Sequence, residues 1–248
     1  MGEGRMSETT LVCAATVREM DACLAGRGLR FESLPEHGEL AWARTWSDGG
    51  RAYVLAVTGV GIPLTMARLL PLAAGCAPRL ILNVGIAGAY VGSGLGLGDV
   101  VVGESECFGD LGMETPGPEI FLPLATMPWA DEVYRTPFPL ETAPLLTAPL
   151  LTAPSPTAPQ VRTGRGCTVN ACTGRAETGL LRRKLFSADF ESMEGAAVAL
   201  VARMLGLPAG ELRAVSNFAS TRDMRPENID TALRNLSVYM AGWFGRPT

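Results

Sequence analysis

The stretch TLVCAATVREMDACLAG, residues 10–26, sets the fold class, because a short apolar run passes directly into a helical pattern with Glu19 in its first turn. A strand running straight into a helix is the repeating unit of α/β proteins, and the same alternation is legible outward from it. Strands are expected at about 10–16, 51–58, 80–84 and 99–107, with helices at about 17–26 and 63–75. Further on come a strand near 168–171, helices at about 175–186 and 194–205, a strand at about 212–216 and a last helix at about 230–244. Such an order predicts a mixed central sheet covered on both faces. Ligands in such sheets bind beyond the carboxyl ends of strands, so the strand-to-helix turns are the places to search.

Composition narrows the function. A chain of 248 residues suits one large core, with one domain as the expectation. The net charge of −4 is spread without a basic stripe, which argues against nucleic acid as a partner. No apolar run approaches the ~18 residues a membrane span needs, and the polar start of the chain lacks the pattern of a signal peptide. Six cysteines in apolar surroundings, with no CxxC, read as buried residues of a reducing cytoplasm rather than as a metal site. The single histidine, His37, sits in an expected loop at 34–38 and leaves His-dependent triads and His metal sites little to build on. No metal and no cofactor are expected. Eleven of the 18 prolines fall between 116 and 159, and 142–159 repeats TAPLL, TAPLL, TAPSP, TAP. This pattern predicts an extended surface insertion at about 115–165 with neither helix nor sheet.

Four places could carry chemistry. Glu19 follows the first strand, where a carboxylate could equally be serving the helix dipole. Two glycine-rich turns, Thr58-Gly59-Val60-Gly61 and Asn83-Val84-Gly85-Ile86-Ala87-Gly88, would let a backbone approach a ligand. Neither completes GxGxxG or carries a P-loop lysine, so a dinucleotide or triphosphate is not indicated. Glu194 precedes a helix rich in small residues, with Ser192 as the better cap. Asn217 and Phe218 end a short strand after Ser216.

Together, TGVG at 58–61, NVGIAGA at 83–89, LGDVVVGE at 97–104, DLG at 110–112, ESMEGAAVA at 191–199 and RAVSNFASTR at 213–222 resemble the nucleoside phosphorylase and nucleosidase superfamily, and within it the futalosine hydrolases of the alternative menaquinone pathway. The resemblance covers about 10–112 and 167–240. It implies a three-layer α/β/α fold, a homo-oligomer, a small-molecule purine nucleoside as partner and cleavage of its N-glycosidic bond. It also implies roles: Glu194 on the ribose hydroxyls, Met193 packed on the sugar, Glu19 holding the attacking water and Asn217 on the base. Gly59, Gly61, Gly85 and Phe218 join the substrate-binding set.

The departures from neighbouring branches are informative. Phosphorylases of the superfamily hold phosphate with an arginine and a serine where this chain has Asn83 and Ile86, and use another arginine where Glu19 aligns. A carboxylate repels phosphate and can orient water, although a slip of one residue would return Arg18 to that place. Adenine-specific nucleosidases carry aspartate at the position of Asn217, whereas an amide can donate to the oxygen of a 6-oxopurine and accept from a protonated N7. Futalosine, a hypoxanthine nucleoside with a carboxyphenyl ketone on its 5′ side, fits that preference, with Arg222 as the candidate partner of its carboxylate. Methylthioadenosine/S-adenosylhomocysteine nucleosidase, purine nucleoside phosphorylase and a catalytically silent nucleoside-binding protein are the alternatives.

Overall fold

The computed structural model describes residues 9–116, 121–146, 159–221 and 223–245. In chain order the strands and helices are β1 (Thr10–Ala14), α1 (Val17–Ala25), β2 (Glu36–His37), β3 (Leu40–Asp48), β4 (Arg51–Val57), α2 (Ile62–Cys76), β5 (Leu80–Ala89), β6 (Val100–Glu106), β7 (Gly112–Glu114), β8 (Phe121–Pro123), β9 (Phe138–Pro139), α3 (Ala143–Leu146), β10 (Val161–Thr168), α4 (Ala176–Phe186), β11 (Phe190–Ser192), α5 (Gly195–Leu205), β12 (Ala209–Phe218) and α6 (Pro226–Phe244).

The first strand shows why the sheet is covered twice. All five of its residues are buried, with Val12 and Ala14 packing among residues of α1 and α6, and Leu11 and Cys13 among those of α2 and α5. Alternate residues of a strand face opposite ways, so a strand apolar on both faces needs a helical layer on each. The result is a three-layer α/β/α arrangement around a mixed sheet. Strand β1 pairs in parallel with β4 and β5, β12 runs parallel to β5 and antiparallel to β6, and β10 runs parallel to β6 and β11. Because β11 also pairs with β5, through Phe190–Ala89 and Glu191–Gly88, the strands β5, β12, β6, β10 and β11 close on one another. That closure brings the ends of distant segments into one place.

Several expectations are corrected. The glycine segment 83–88 is not a turn, since β5 continues through it to Ala89 and pairs with β12 along most of that length. The strand expected near 168–171 lies at Val161–Thr168, where its threonine, arginines and glycines hide it from a search for apolar runs. His37 belongs to the short strand β2 rather than to a loop. Strand β3 was not expected, although Gly49-Gly50 between two extended runs is a hairpin signal.

The flanks of the proline-rich stretch are built into the fold. Phe138 and Leu145 are buried, β9 pairs with β6, and the carbonyls of Pro144 and Leu145 accept from Trp243 and Tyr239 of α6. Most of the repeat, 147–158, lies outside the described residues. No helix among the described residues is long and apolar enough to cross a membrane.

Candidate active site

A cavity of about 340 Å³ opens where β1, β5, β11 and β12 end, within the size range of small-molecule sites. Glu19, Glu191, Met193, Glu194 and Asn217 all line it, joined by apolar side chains that include Val60, Met224, Ile229 and Leu233. Four segments that are distant in sequence therefore meet at one hollow.

Glu19 owes its place to the start of α1. Thr16 caps the helix, its hydroxyl accepting from the Glu19 N–H at 3.2 Å, while Glu19 Oε2 accepts from the Thr16 N–H at 3.0 Å and hydroxyl at 2.8 Å. This reciprocal box satisfies donors that a helix start leaves unpaired. The other oxygen, Oε1, accepts from the Ile86 N–H of β5 at 3.0 Å. The carboxylate is 7% exposed and fixed from two sides. Arg18 also lines the cavity, but from an exposed position where it pairs with Asp230 at 2.5 Å, whereas the buried place beside β5 is taken by Glu19.

Glu194 occupies the N-cap position of α5 without capping it, and Ser192 accepts from the Gly195 N–H instead at 3.2 Å. The Glu194 side chain is thereby released toward the cavity. Its Oε1 accepts from the Gly61 N–H at 3.0 Å, in a turn where Gly59 and Gly61 both adopt left-handed φ, 85° and 90°. Gly61 thus holds Glu194 through its N–H, Gly59 donates to the Ala15 carbonyl, and Val60 between them lines the cavity. Burial pushes the Glu194 carboxyl above its ordinary value, against the opposing pull of Arg213 and of the Gly61 N–H.

Arg213, fully buried in β12, is the residue that sequence reasoning missed as a site component. Its Nε donates to Glu211 Oε1 at 2.8 Å, and its Nη2 stands 3.6 Å from Glu194 Oε2. Burial alone would lower the pKa of this guanidinium, but Glu211, Glu194 and Glu19 more than reverse that and hold it above its usual value. Asn83 supports the arrangement by donating from Nδ2 to Glu211 Oε1 at 3.2 Å. A charge in the middle of an apolar strand was the available signal, since arginine is rarely buried unless paired. Gly85 makes room for all of this: a Cβ there would lie 2.6 Å from both Arg213 Nη1 and Glu19 Oε1.

Asn217 reaches the cavity through an irregularity. Val215 pairs with Ala87 and Asn217 with the next residue, Gly88, so Ser216 is the extra residue of a β-bulge that re-aims its neighbour. Asn217 Oδ1 accepts from the Ser216 hydroxyl at 3.0 Å and Nδ2 donates to the Phe218 carbonyl at 3.2 Å. One amide N–H and one oxygen lone pair remain for a ligand. Phe218 does not line the cavity; its ring is 37% exposed and its carbonyl does the holding. Arg222 lies outside the described residues. Glu191, not singled out beforehand, lines the wall with Oε1 accepting from the Thr173 N–H at 2.8 Å and Oε2 lying 3.6 Å from Arg182 Nη1.

Among the described residues no group of three or more His, Cys, Asp or Glu side chains is placed to hold a metal ion. What the site can offer is carboxylates, an amide and an apolar wall. This suits a ligand with hydroxyl groups, a heteroaromatic edge and an apolar extension.

Known proteins of this kind are similar in sequence and fold. A structure of 5′-methylthioadenosine/S-adenosylhomocysteine nucleosidase from Neisseria meningitidis, in complex with methylthio-immucillin-A, superimposes with a TM-score of 0.76 at 22% identity, covering 96% of this chain and 98% of that one. A futalosine hydrolase mutant of Helicobacter pylori superimposes with a TM-score of 0.70 at 18% identity, covering 96% of each chain. In sequence, a curated futalosine hydrolase from Acidothermus cellulolyticus is 46% identical over 61 residues, a match that spans only a quarter of either protein. The family model of the phosphorylase superfamily matches residues 11–240, nearly the whole described fold, and the chain belongs to that superfamily.

Proposed function

We propose that the protein is a nucleoside hydrolase that splits the N-glycosidic bond of a 6-oxopurine nucleoside, with futalosine as its substrate. The observation that carries this reading is the meeting of Glu19, Glu194 and Asn217 on one cavity whose other ionisable lining residues are Cys172, Glu191 and the rim residue Arg18. Inorganic phosphate, a mono- or dianion near neutral pH, would have to enter beside three carboxylates, while the inner cation Arg213 is already engaged by Glu211 and Glu194. Water meets no such repulsion.

In the proposed reaction the ribose gains positive charge as the bond to the base lengthens. Glu194 binds the ribose hydroxyls and stabilises that charge, and Glu19 orients water beneath C1′ and takes its proton. The water oxygen bonds to C1′, the glycosidic electron pair leaves with the purine, and a proton returns the base to its neutral form. Asn217 receives the base, its free N–H toward O6 and its free lone pair toward a protonated N7. The apolar side chains of Met224, Ile229 and Leu233 offer a surface for the aromatic 5′ arm. The partial match to a curated futalosine hydrolase supports this substrate over methylthioadenosine. Incubating the purified protein with futalosine, inosine and methylthioadenosine, and identifying the released base, tests it: hypoxanthine from futalosine is expected, and adenine from methylthioadenosine as the main product overturns the choice.

A further inference from the structure

Glu106, at the end of β6, is fully buried and does not line the cavity. Its Oε2 accepts from the Cys107 N–H at 3.1 Å and from the Thr168 hydroxyl at 3.0 Å. Its Oε1 has no hydrogen-bond donor, and neither has Oε2 of Glu211 on β12. The two carboxyl groups are close neighbours at the start of α5. Gly195 keeps the space between them, because a Cβ there would stand 2.2 Å from Glu106 Oε1 and 2.6 Å from Glu211 Oε1. The groups facing Glu106 are Glu211 from β12, Cys167 and Thr168 from β10, Cys107 on its own side and the first turn of α5; no cation pairs with it among the described residues. Two ionised carboxylates packed this closely, each with one unpartnered oxygen, are costly in such a place, and one shared proton relieves both.

Two connections lead from this pair to Glu194. Through side chains, Glu211 Oε1 takes Arg213 Nε at 2.8 Å, and Arg213 Nη2 stands 3.6 Å from Glu194 Oε2. Through the backbone, the Thr168 hydroxyl that donates to Glu106 accepts from the Ala196 N–H at 2.7 Å, fixing the first turn of the helix whose N-cap is Glu194.

We infer that Glu106 is a positioning residue of this site: a neutral carboxylic acid that donates its proton to Glu211, keeping Glu211 as the anion that orients Arg213 and, through Arg213, the carboxylate of Glu194. Burial, followed by the charge of Glu211, raises the Glu106 carboxyl well above its ordinary value, in keeping with that proton. The catalytic part of the inference rests on the nucleosidase reading; the protonation part stands without it.

Glu106→Gln retains shape and a donor toward Glu211, and Glu106→Leu retains only bulk. Turnover of futalosine by the leucine variant is expected to fall about tenfold with a much smaller change in KM, and the glutamine variant to recover most of that loss. Equal turnover by the two variants overturns the positioning role.

The proton itself is read without substrate. Above the ordinary glutamate value of 4.5 the unfolded chain releases a proton at this position that, on this inference, the native protein retains. Wild type therefore loses stability as pH rises toward the raised native value, and the glutamine variant, with nothing to release, does not. The Tm of Glu106→Gln minus that of wild type is expected to grow between pH 5 and pH 8, by about 3 °C or more. A difference that stays constant with pH overturns the assignment, and it decides even if the leucine variant fails to fold. A growing difference in a protein that releases no purine upholds the shared proton and removes the reaction assigned to the cavity instead.

Discussion

Arg213 stands behind Glu194, with Nη2 3.6 Å from Glu194 Oε2, and has no exposure of its own. One buried cation thus serves a carboxylate that lines the cavity and, through Glu211, a carboxylate that does not. The charge of Glu194 is set by this partner and by burial, which act in opposite directions.

A pH dependence follows from that opposition. In the proposed reaction Glu194 must be ionised to stabilise a cationic ribose, and its carboxyl is raised, so kcat/KM is expected to fall with acidification at a pH above the ordinary glutamate value of 4.5. In Arg213→Met the downward pull is gone and the acid limb moves further up, by about one unit or more. A pH–rate profile checks it. An unchanged limb in a folded variant means that Glu194 does not control it.

Glu194→Gln and Glu19→Gln are each expected to lower turnover by about a hundredfold or more, ~3 kcal/mol of transition-state stabilisation, with the fold retained. Glutamine at 19 can still close the box with Thr16 through its oxygen, but its amide N–H then faces the Ile86 N–H, so circular dichroism stays close to wild type while stability drops by about 1–3 kcal/mol. Near-normal turnover in either variant removes that residue from the mechanism.

Asn217→Asp is expected to cost activity on hypoxanthine nucleosides by about thirtyfold, near 2 kcal/mol. The structure supplies a second reason beyond the base itself, because a carboxylate oxygen in place of Nδ2 would face the Phe218 carbonyl at about 3.2 Å. Activity on methylthioadenosine is expected to rise relative to futalosine. Steady-state kinetics on both substrates decide it, and an unchanged ratio separates Asn217 from base recognition.

Gly85→Ala tests how tightly the inner charges are set. The added Cβ meets Arg213 Nη1 and Glu19 Oε1 at 2.6 Å, both held by other partners, so overpacking of about 1–3 kcal/mol is expected together with at least a tenfold loss of turnover. Thermal unfolding and kinetics read the two effects. A variant as stable and active as wild type shows that the pair has room to move.

How much of this was legible in the sequence depends on where each residue stands relative to a strand end. Glu19 and Glu194 sit where a strand passes into a helix, so the strand–helix pattern marked their positions and the family resemblance supplied their roles. Asn217 was expected just past a strand, yet it belongs to β12 and reaches the cavity through the bulge at Ser216, a departure in register that no single-strand pattern encodes. Asn83, Glu106, Glu211 and Arg213 lie within strands, where polar residues interrupt an apolar reading without announcing their partners. Their meaning appears only once β5, β6 and β12 lie side by side. The proline-rich flanks were misread for a related reason: proline forbids regular ladders locally, but Phe138 and Leu145 still find buried places against β6 and α6.

In the proposed reaction water, not phosphate, attacks a 6-oxopurine nucleoside in this cavity. Its most direct measurement is product analysis of futalosine incubated with the purified protein in the absence and presence of inorganic phosphate. Hypoxanthine and a free-sugar product are expected in equal yield under both conditions. Base release that requires phosphate and yields a sugar 1-phosphate contradicts the proposed reaction.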